Sequence, residues 1–330
     1  MAVGRGRRGD RAAHREARRD VEPVEHLDDA APARSHGADR GVRPAAAQLP
    51  GRHGGGVAMR LGVSLPRTAP DGSPLTGDAF IEGARLVERL GFDHAWSFDA
   101  IGRGFIIPDP LIAVSVAAGV TSRIEVGTCI LQVPLRRPVE LAHRILTAHL
   151  ICRGRLLLGV GAGSTKADFD AIGVPFETRL RDMDESLALM RRLWAGEKVG
   201  AAQLGPWPAA LGGPNVLIGS WRGKEWIPRA AKAFDGWIAS GARSNFEAIA
   251  EGITRYREAG GTRAIVTNLV VDLDAPTKDV PGTEPFHMRC SPAEAAARLR
   301  RLADLGYDDA VLVPKVHTEA HLAALRALVK

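Results

Sequence analysis

Two glycine-rich turns hold the residues best suited to bind a ligand. The first, Gly219-Ser-Trp-Arg-Gly-Lys224, follows an apolar run and precedes a helical pattern. Backbone N–H groups at a helix N-terminus, the Ser220 hydroxyl and the charges of Arg222 and Lys224 can together hold a phosphate group. An ordinary turn with solvated charges fits the same residues equally well. A Walker-type phosphate loop is excluded, because the glycine spacing that it requires before Lys224 is missing.

The second turn, Gly159-Val-Gly-Ala-Gly-Ser164, ends a run of apolar residues. Its glycines leave the backbone bare on one side, so that a flat or phosphorylated ligand can approach it closely. A dinucleotide site is a weaker interpretation, since the last position is Ser164 rather than glycine. Asp182 and Asp184 lie about 20 residues further on, where a ribose ligand would be expected. They fall at the start of an amphipathic helical pattern, however, where acids are favoured anyway.

Single polar residues follow other apolar runs. Asp99 could accept a hydrogen bond from a ligand, act as a general base or cap a loop. Cys129 is better explained as a small packed residue than as a nucleophile. Trp221 is the best candidate for a wall against a planar ligand. The histidines show no metal-ligand spacing with one another or with carboxylates, so no metal site is expected.

These residues lie at strand ends in a regular alternation of strands and helices. From Met59 onwards the pattern contains eight strand–helix units, with the strand first in each unit. The predicted strands are 60–65, 93–98, 123–130, the apolar part of 155–164, 215–219, 236–240, 264–272 and 309–314. Helix N-caps are expected at Asp78, Asp109, Ser244, Ser291 and Thr318. This count favours an α/β fold of the (β/α)8 TIM-barrel type over a doubly wound sheet, and in such a barrel the C-terminal strand ends form the working face.

The composition limits the possible partners. The chain has 330 residues, of which 45% are hydrophobic and 25% charged, and no apolar run is long enough to cross a membrane. The three cysteines are far apart and odd in number, which argues against a disulfide framework and favours a cytoplasmic location. The formal net charge is +6. No basic stripe or aromatic platform accompanies this charge, so nucleic-acid binding is not expected.

Residues 1–58 differ in composition from the rest of the chain. They hold 11 Lys+Arg and 8 Asp+Glu, and they lack any sustained apolar period. We therefore expect a disordered basic extension over residues 1–58 and a folded domain over residues 59–330. Because Met59 directly precedes the first strand, we hypothesise that it is the true start of the protein. A peptide from residues 11–40 in a mass spectrum of the native protein would refute this hypothesis.

A family resemblance rests on several segments together. They are Asp109-Pro-Leu, Thr121-Ser-Arg-Ile-Glu-Val-Gly-Thr128, Pro134-Leu-Arg-Arg-Pro138, Gly154-Arg-Leu-Leu-Leu-Gly-Val-Gly-Ala-Gly163 and Ala230-Ala-Lys-Ala-Phe-Asp-Gly-Trp237. In combination they resemble the bacterial luciferase-like monooxygenase superfamily, over residues 59–330. The resemblance implies a TIM barrel that binds the deazaflavin coenzyme F420 or, as the alternative, FMN. It further implies an oxidoreductase that acts on a small organic substrate, and a possible homodimer.

The resemblance also implies where the cofactor lies. The ring would cover the strand ends, the phosphate would lie in the loop 219–224, and a non-prolyl cis peptide would join Cys129 to Ile130. The cofactor-binding positions implied are Thr128, Cys129, Gly161, Ala162, Gly163, Ser164, Gly219, Ser220, Trp221, Arg222, Gly223, Lys224, Ser240 and Gly241. Family members commonly carry Asp-His at the end of the second strand, whereas this chain has Asp99-Ala100. Any catalytic acid–base role there rests on Asp99 alone.

Two other classes of function stay open. A flavin-binding barrel that stores or delivers cofactor without turnover is favoured by the missing histidine after Asp99. A sugar-phosphate lyase or isomerase barrel would need an activated lysine on a strand. Lys315 is the only candidate near a strand, and its neighbours in the sequence do not suggest activation.

Overall fold

The computed structural model describes residues 59–221, 223–280 and 282–329. The predicted extension over residues 1–58 and the candidate ligand Arg222 lie outside these residues. The predicted domain boundary at residue 58 therefore stays a prediction. No helix in the described ranges has both the length and the apolar character that a membrane crossing requires.

The described chain alternates strands with helices and closes into a parallel barrel. The strands are β1 Arg60–Ser64, β2 His94–Ser97, β3 Glu125–Thr128, β4 Leu131–Gln132, β5 Leu156–Gly161, β6 Asn215–Gly219, β7 Gly236–Ser240, β8 Ala264–Asp272, β9 Met288–Arg289 and β10 Asp309–Val313. The helices are α1 Gly77–Arg89, α2 Pro110–Val120, α3 Pro138–Cys152, α4 Lys166–Ile172, α5 Arg179–Trp194, α6 Trp226–Ala233, α7 Phe246–Glu258, α8 Pro292–Asp304 and α9 Glu319–Arg326. The sheet runs β10-β1-β2-β3-β5-β6-β7-β8, and β10 also pairs with β8. The predicted TIM barrel is thus confirmed.

Helix starts were predicted with mixed success. Asp109, Ser291 and Thr318 cap their helices as expected, each through its side-chain oxygen. Two predicted caps were wrong. Thr76, not Asp78, accepts the hydrogen bond from Ala79 N at the start of α1, and Asn245, not Ser244, caps α7. Both errors arise because several polar residues with similar capping ability stand side by side, and only the backbone path selects one.

Large rings fill the interior of the barrel, opposite glycines on the neighbouring strands. On β2, His94 lies in register with Gly62 on β1, and Trp96 lies in register with Gly127 on β3. A Cβ atom on Gly62 would come within 1.8 Å of the His94 ring, and one on Gly127 within 2.4 Å of the Trp96 ring. The indole N–H of Trp96 donates to His94 Nδ1 at 2.6 Å. Any side chain at these two glycines would therefore displace the barrel core.

A charged network closes the lower end of the barrel, which is formed by the N-terminal ends of the strands. His94 Nε2 lies 3.0 Å from Asp309 Oδ1, and Arg263 bridges Asp309 and Glu125 with contacts of 3.0 and 2.8 Å. Arg60 is also paired with Glu125. Burial alone would raise the pKa of Asp309, but the charge of Arg263 and the hydrogen bond from His94 outweigh it and hold that pKa well below its usual range.

Candidate cofactor site

A cavity of about 1030 Å³ opens at the upper end of the barrel, where the C-terminal ends of the strands meet. Eleven of the residues predicted from the sequence line it. They are Asp99, Cys129, Gly161, Ala162, Gly163, Ser164, Gly219, Ser220, Trp221, Gly223 and Ser240. The position of this cavity agrees with the rule that barrel sites lie at this end.

Three of the predicted ligand contacts do not line the cavity. The buried hydroxyl of Thr128 donates to Gly159 O at 2.7 Å, so it ties β3 to β5 instead of facing a ligand. Lys224 is exposed outside the cavity. A Cβ atom on Gly241 would come within 2.7 Å of Leu269 and 2.8 Å of a backbone oxygen, so this glycine allows close packing of β7 against β8.

The glycines of the two turns make room for a side chain as well as for a ligand. A Cβ atom on Gly161 would lie 2.9 Å from Ile130, and one on Gly219 would lie 2.4 Å from it. Ile130 follows the Cys129–Ile130 peptide bond, which is cis as the resemblance implies. Ile130 and Cys129 both line the cavity. The bare turns thus admit an apolar side chain, and that side chain forms part of the cavity floor.

Asp99 is held in a bidentate ion pair. Its two carboxylate oxygens accept from Arg136 Nη1 and Nη2 at 2.6 and 3.0 Å, and Oδ2 also accepts from the backbone N–H of Gln132 at 2.8 Å. Asp99 is 8% exposed. Because these partners already use both oxygens, the geometry favours a structural role for Asp99, and its catalytic role stays a prediction.

A second buried carboxylate supports the wall beside Asp99. Asp168 accepts from Arg103 Nε at 2.8 Å and from Gln132 Nε2 at 2.9 Å. Burial alone would raise the pKa of Asp168, but the hydrogen bonds from Arg103 and Gln132 outweigh it and leave that pKa below its ordinary value. Gln132 Oε1 is buried and has no partner in the described chain. A Cβ atom on Gly163 would come within 2.5 Å of this oxygen, so the left-handed turn at Gly163 must stay free of a side chain.

The predicted phosphate turn is built around Ser220. Its hydroxyl oxygen accepts from the backbone N–H of Gly223 at 3.2 Å, and its carbonyl accepts from the indole N–H of Trp237 at 2.8 Å. Helix α6 begins at Trp226, and no side chain caps it. The N–H of Ile227 donates to Gly223 O at 3.1 Å and Pro228 has no N–H, so these two positions offer no donor to a ligand.

Comparison with known proteins decides the family. The sequence profile of the luciferase-like monooxygenase family matches residues 59–304. The chain belongs to this family. The match covers the strands from β1 to β9 and the cavity-lining turns except the one after β10.

The curated relatives of this luciferase-like chain include two uncharacterised proteins. One, y4vJ of Sinorhizobium fredii, is 35% identical over 111 residues, which are 33% of this chain and 32% of that protein. The chain thus spans about a third of that relative's length. The other, Rv0953c of Mycobacterium tuberculosis, is 30% identical over 218 residues, which are 61% of this chain and 69% of that protein.

Solved structures with different cofactors share the luciferase-like barrel. The coenzyme F420-dependent tetrahydromethanopterin reductase of Methanopyrus kandleri is 17% identical, with a TM-score of 0.63, and the match covers 83% of this chain and 99% of that one. The oxygenating constituent of 3,6-diketocamphane monooxygenase from Pseudomonas putida, in complex with FMN, is 17% identical with a TM-score of 0.62, covering 82% and 95%. At such identities the likeness supports the fold.

Several basic residues of the luciferase-like site were missed in the sequence. Arg67, Arg243, Arg289 and Lys315 line the cavity, and within the described residues none of them forms an ion pair. The guanidinium carbon of Arg67 lies 5.6 Å from the centre of the Phe98 ring. Three of the four follow a strand within three residues, so the strand-end rule could have found them. Arg289 lies on the short strand β9, which carries no recognisable sequence pattern.

The remaining surface of the cavity is largely apolar. Side chains from the β2–α2 loop, from α5 and from the end of β10 contribute to it; they are Phe98, Phe105, Ile107, Leu180 and Val313. Within the described ranges, no three histidine, cysteine or acidic side chains converge as metal ligands. A planar ligand with an anionic end therefore fits the chemistry of this lining.

Proposed function

We propose that this chain is an oxidoreductase that binds coenzyme F420 and acts on a small organic substrate, with FMN as the alternative cofactor. The observation that carries the proposal is the cavity itself, which joins an apolar floor to several basic side chains that have no ion pair within the described part of the chain. Family membership supports redox chemistry of this kind. When bound, the cofactor would supply hydride transfer in the case of F420, or oxygen activation in the case of FMN.

The residues present fit such a group. Ser220, Ser240 and Arg243 would hold the phosphate, because their hydroxyl and guanidinium groups are the donors that a phosphate prefers. Ile130 and Cys129 would lie against the ring and exclude water from it. Burial raises the pKa of the Cys129 thiol well above its usual range, so this residue would act there as an apolar surface and not as a nucleophile.

The excess of cations favours F420 over FMN. FMN carries a single phosphate, which one cradle of donors can neutralise. F420 carries a phosphodiester and, in addition, carboxylates on its glutamate tail. Arg67, Arg243, Arg289 and Lys315, which have no ion pair among the described residues, match the larger number of charges better.

A binding titration tests the proposal. The full chain is titrated with F420, FMN, FAD and riboflavin, and binding is followed by absorbance and fluorescence. Tightest binding of F420 would support the first choice, and tightest binding of FMN the alternative. Failure of all four ligands to bind would overturn the proposal.

A flavin-binding barrel without turnover is the second candidate. It is favoured by the ion pair between Asp99 and Arg136, which leaves no free acid or base at the strand end where relatives commonly carry histidine. Cofactor binding without any substrate-dependent oxidation or reduction across a compound panel would support this candidate. Turnover of any compound in the panel would exclude it.

A homodimer and a cytoplasmic location complete the proposal. Helices α2 and α3 expose the apolar residues Ile112 (61%), Val139 (37%) and Ile151 (43%), and a second copy would cover them. The three cysteines of the described chain are free, as a reducing compartment would keep them. Sedimentation equilibrium gives the oligomeric state, and a monomer at all concentrations would exclude the dimer.

A further inference from the structure

Strand β8 contains a bulge at the edge of the cavity. Against β10, Val266 pairs with Ala310 and Leu269 pairs with Leu312, so two residues of β8 face one residue of β10. The two residues are Thr267 and Asn268. Asn268 has a left-handed backbone with φ of 57°, which asparagine tolerates better than most residues with a side chain. Bulges of this kind are common next to functional sites, because they redirect a side chain.

The bulge changes which face of β8 Asn268 occupies. In a regular strand successive side chains alternate, so with Thr267 on the cavity side Asn268 would point outward. The extra residue instead places both Thr267 and Asn268 at the cavity. It also returns Leu269 to the outer core, where this side chain is fully buried. Gly241 allows β7 to approach this part of β8 closely.

The hydrogen bonds of Asn268 have a defined direction. Thr267 Oγ1 donates to Ala239 O at 3.0 Å, so its hydrogen is already used. The side-chain nitrogen Nδ2 of Asn268 lies 3.2 Å from Thr267 Oγ1 and 3.2 Å from Ser240 Oγ. Only the Nδ2 end of the amide can donate to the threonine oxygen, and this fixes the orientation of the amide. Ser240 Oγ then accepts from Asn268, and its own hydrogen is free to point elsewhere.

We propose that Asn268 is a positioning residue that holds the Ser240 hydroxyl as a donor toward the phosphate of the cofactor. The inference rests on the proposed function, since it assumes a phosphate beside Ser240, which lines the same cavity. A chain of donors running from Asn268 through Ser240 to the ligand makes the site selective for an anion. The side-chain oxygen Oδ1 of Asn268, to which no described residue donates, can accept only from a donor group of the ligand.

Three variants test this role. Asn268→Asp keeps the shape of the side chain but replaces the NH2 donor by a negatively charged acceptor, so the Ser240 hydrogen turns toward residue 268 and the new charge also repels a phosphate; Asn268→Gly is therefore the variant without added charge. Asn268→Gly removes the amide and accepts the left-handed backbone without strain. Ser240→Ala removes the donor itself. Dissociation constants are measured for FMN and riboflavin, and for F420 and its deazaflavin precursor without the phosphate, so that each pair differs in the anionic part.

The expected result is a loss of phosphate selectivity. Asn268→Asp should weaken FMN and F420 binding roughly tenfold or more, while riboflavin and the phosphate-free deazaflavin change less than about twofold. Asn268→Gly should act in the same direction but more weakly. The double variant Asn268→Gly with Ser240→Ala should bind FMN no more weakly than Ser240→Ala alone, because both changes break the same chain. Thermal unfolding confirms that each variant is folded.

Two failures can be told apart. A wild-type protein that binds phosphorylated and phosphate-free ligands equally well would overturn the proposed phosphate site, and this inference with it. A wild-type phosphate preference that persists in Asn268→Asp and Asn268→Gly would overturn the inference alone. Additive effects of Asn268→Gly and Ser240→Ala would do the same, since they would show that the two residues act independently.

Discussion

The two ends of the barrel treat charge in opposite ways. At the lower end, Arg60, His94, Glu125, Arg263 and Asp309 are paired with one another and largely buried. At the upper end, Asp99 and Asp168 are paired with arginines, but Arg67, Arg243, Arg289 and Lys315 line the cavity without an ion pair within the described residues. The lower network thus pairs its own charges, whereas the upper end also holds these four basic side chains that a ligand could pair with.

This difference predicts that the charges at the lower end affect the stability of the fold, whereas those at the upper end affect the binding of a ligand. Burying a charge is costly unless it is paired and hydrogen-bonded, so a complete network at the lower end adds to the uniqueness of the fold and is sensitive to the loss of any partner. Exposed cations at the upper end cost little in the free protein and are available to an anion. We therefore expect substitutions at the lower end to change the free energy of unfolding, and substitutions at the upper end to change affinity.

The largest expected effect comes from Asp309→Ala. This change leaves the buried Arg263 and His94 without their shared partner, and such a loss typically costs about 3–5 kcal/mol of stability. Urea unfolding measures it. The matched control is Glu319→Ala, which removes the exposed ion pair with Arg89 and should cost less than about 1 kcal/mol. Equal effects of the two substitutions would contradict the contrast between a buried and an exposed pair.

The next effect concerns pH and a histidine near the upper end. His317 Nε2 lies 2.7 Å from Ser64 O, so this nitrogen carries the hydrogen, and burial lowers the pKa of His317 to about 4. Below a pH of about 6.5 the unfolded chain takes up a proton at this residue and the folded chain does not. Stability should therefore fall as the pH drops from about 6.5 to about 4, by roughly 3 kcal/mol in total.

The variant His317→Gln tests this dependence. Glutamine can still donate to Ser64 O but does not titrate, so the fall in the free energy of unfolding between neutral pH and a pH of about 4.5 should become smaller by about 2–3 kcal/mol. Asp309 should contribute little in this window, because its folded-state pKa is lowered and its stabilisation is lost only as the pH falls below about 3.9, the pKa of aspartate in the unfolded chain. An unchanged slope in the variant would exclude His317 as the source.

The same contrast shows what the sequence could and could not predict. Strands β6, β7 and β8 were predicted with their observed bounds, because buried apolar runs between turn residues are a local signal. The strand-end rule found eleven of the residues that line the cavity, again from local order. The partner of Asp99 was not predicted, since Arg136 belongs to a different segment and only the closed barrel brings the two together. The bulge at Asn268 was missed for a similar reason. It depends on the pairing of β8 with β10, and the amino-acid sequence of β8 alone does not indicate it.

A change in affinity without a change in stability is expected for Arg243→Ala. Loss of a charged hydrogen bond to the phosphate should cost about 1.5–3 kcal/mol of binding, or roughly ten- to a hundredfold in the dissociation constant for F420 or FMN. The free energy of unfolding should stay within about 0.5 kcal/mol of the wild-type value. Arg300→Ala, an exposed arginine on α8, is the control and should alter neither quantity. Weaker binding in both variants would point to general charge attraction instead of a local contact.

The smallest effect should have the opposite sign to the first. Lys315 and Arg67 follow the neighbouring strands β10 and β1, line the same cavity and form no ion pair within the described residues. Lys315→Met removes one of two like charges, so the free protein should become slightly more stable, by up to about 0.5 kcal/mol. The gain should shrink at high ionic strength, because salt screens the repulsion between exposed charges. Unfolding curves at low and high salt measure it. A loss of about 1 kcal/mol or more would mean that Lys315 is engaged with a partner, and the upper end would then resemble the lower one.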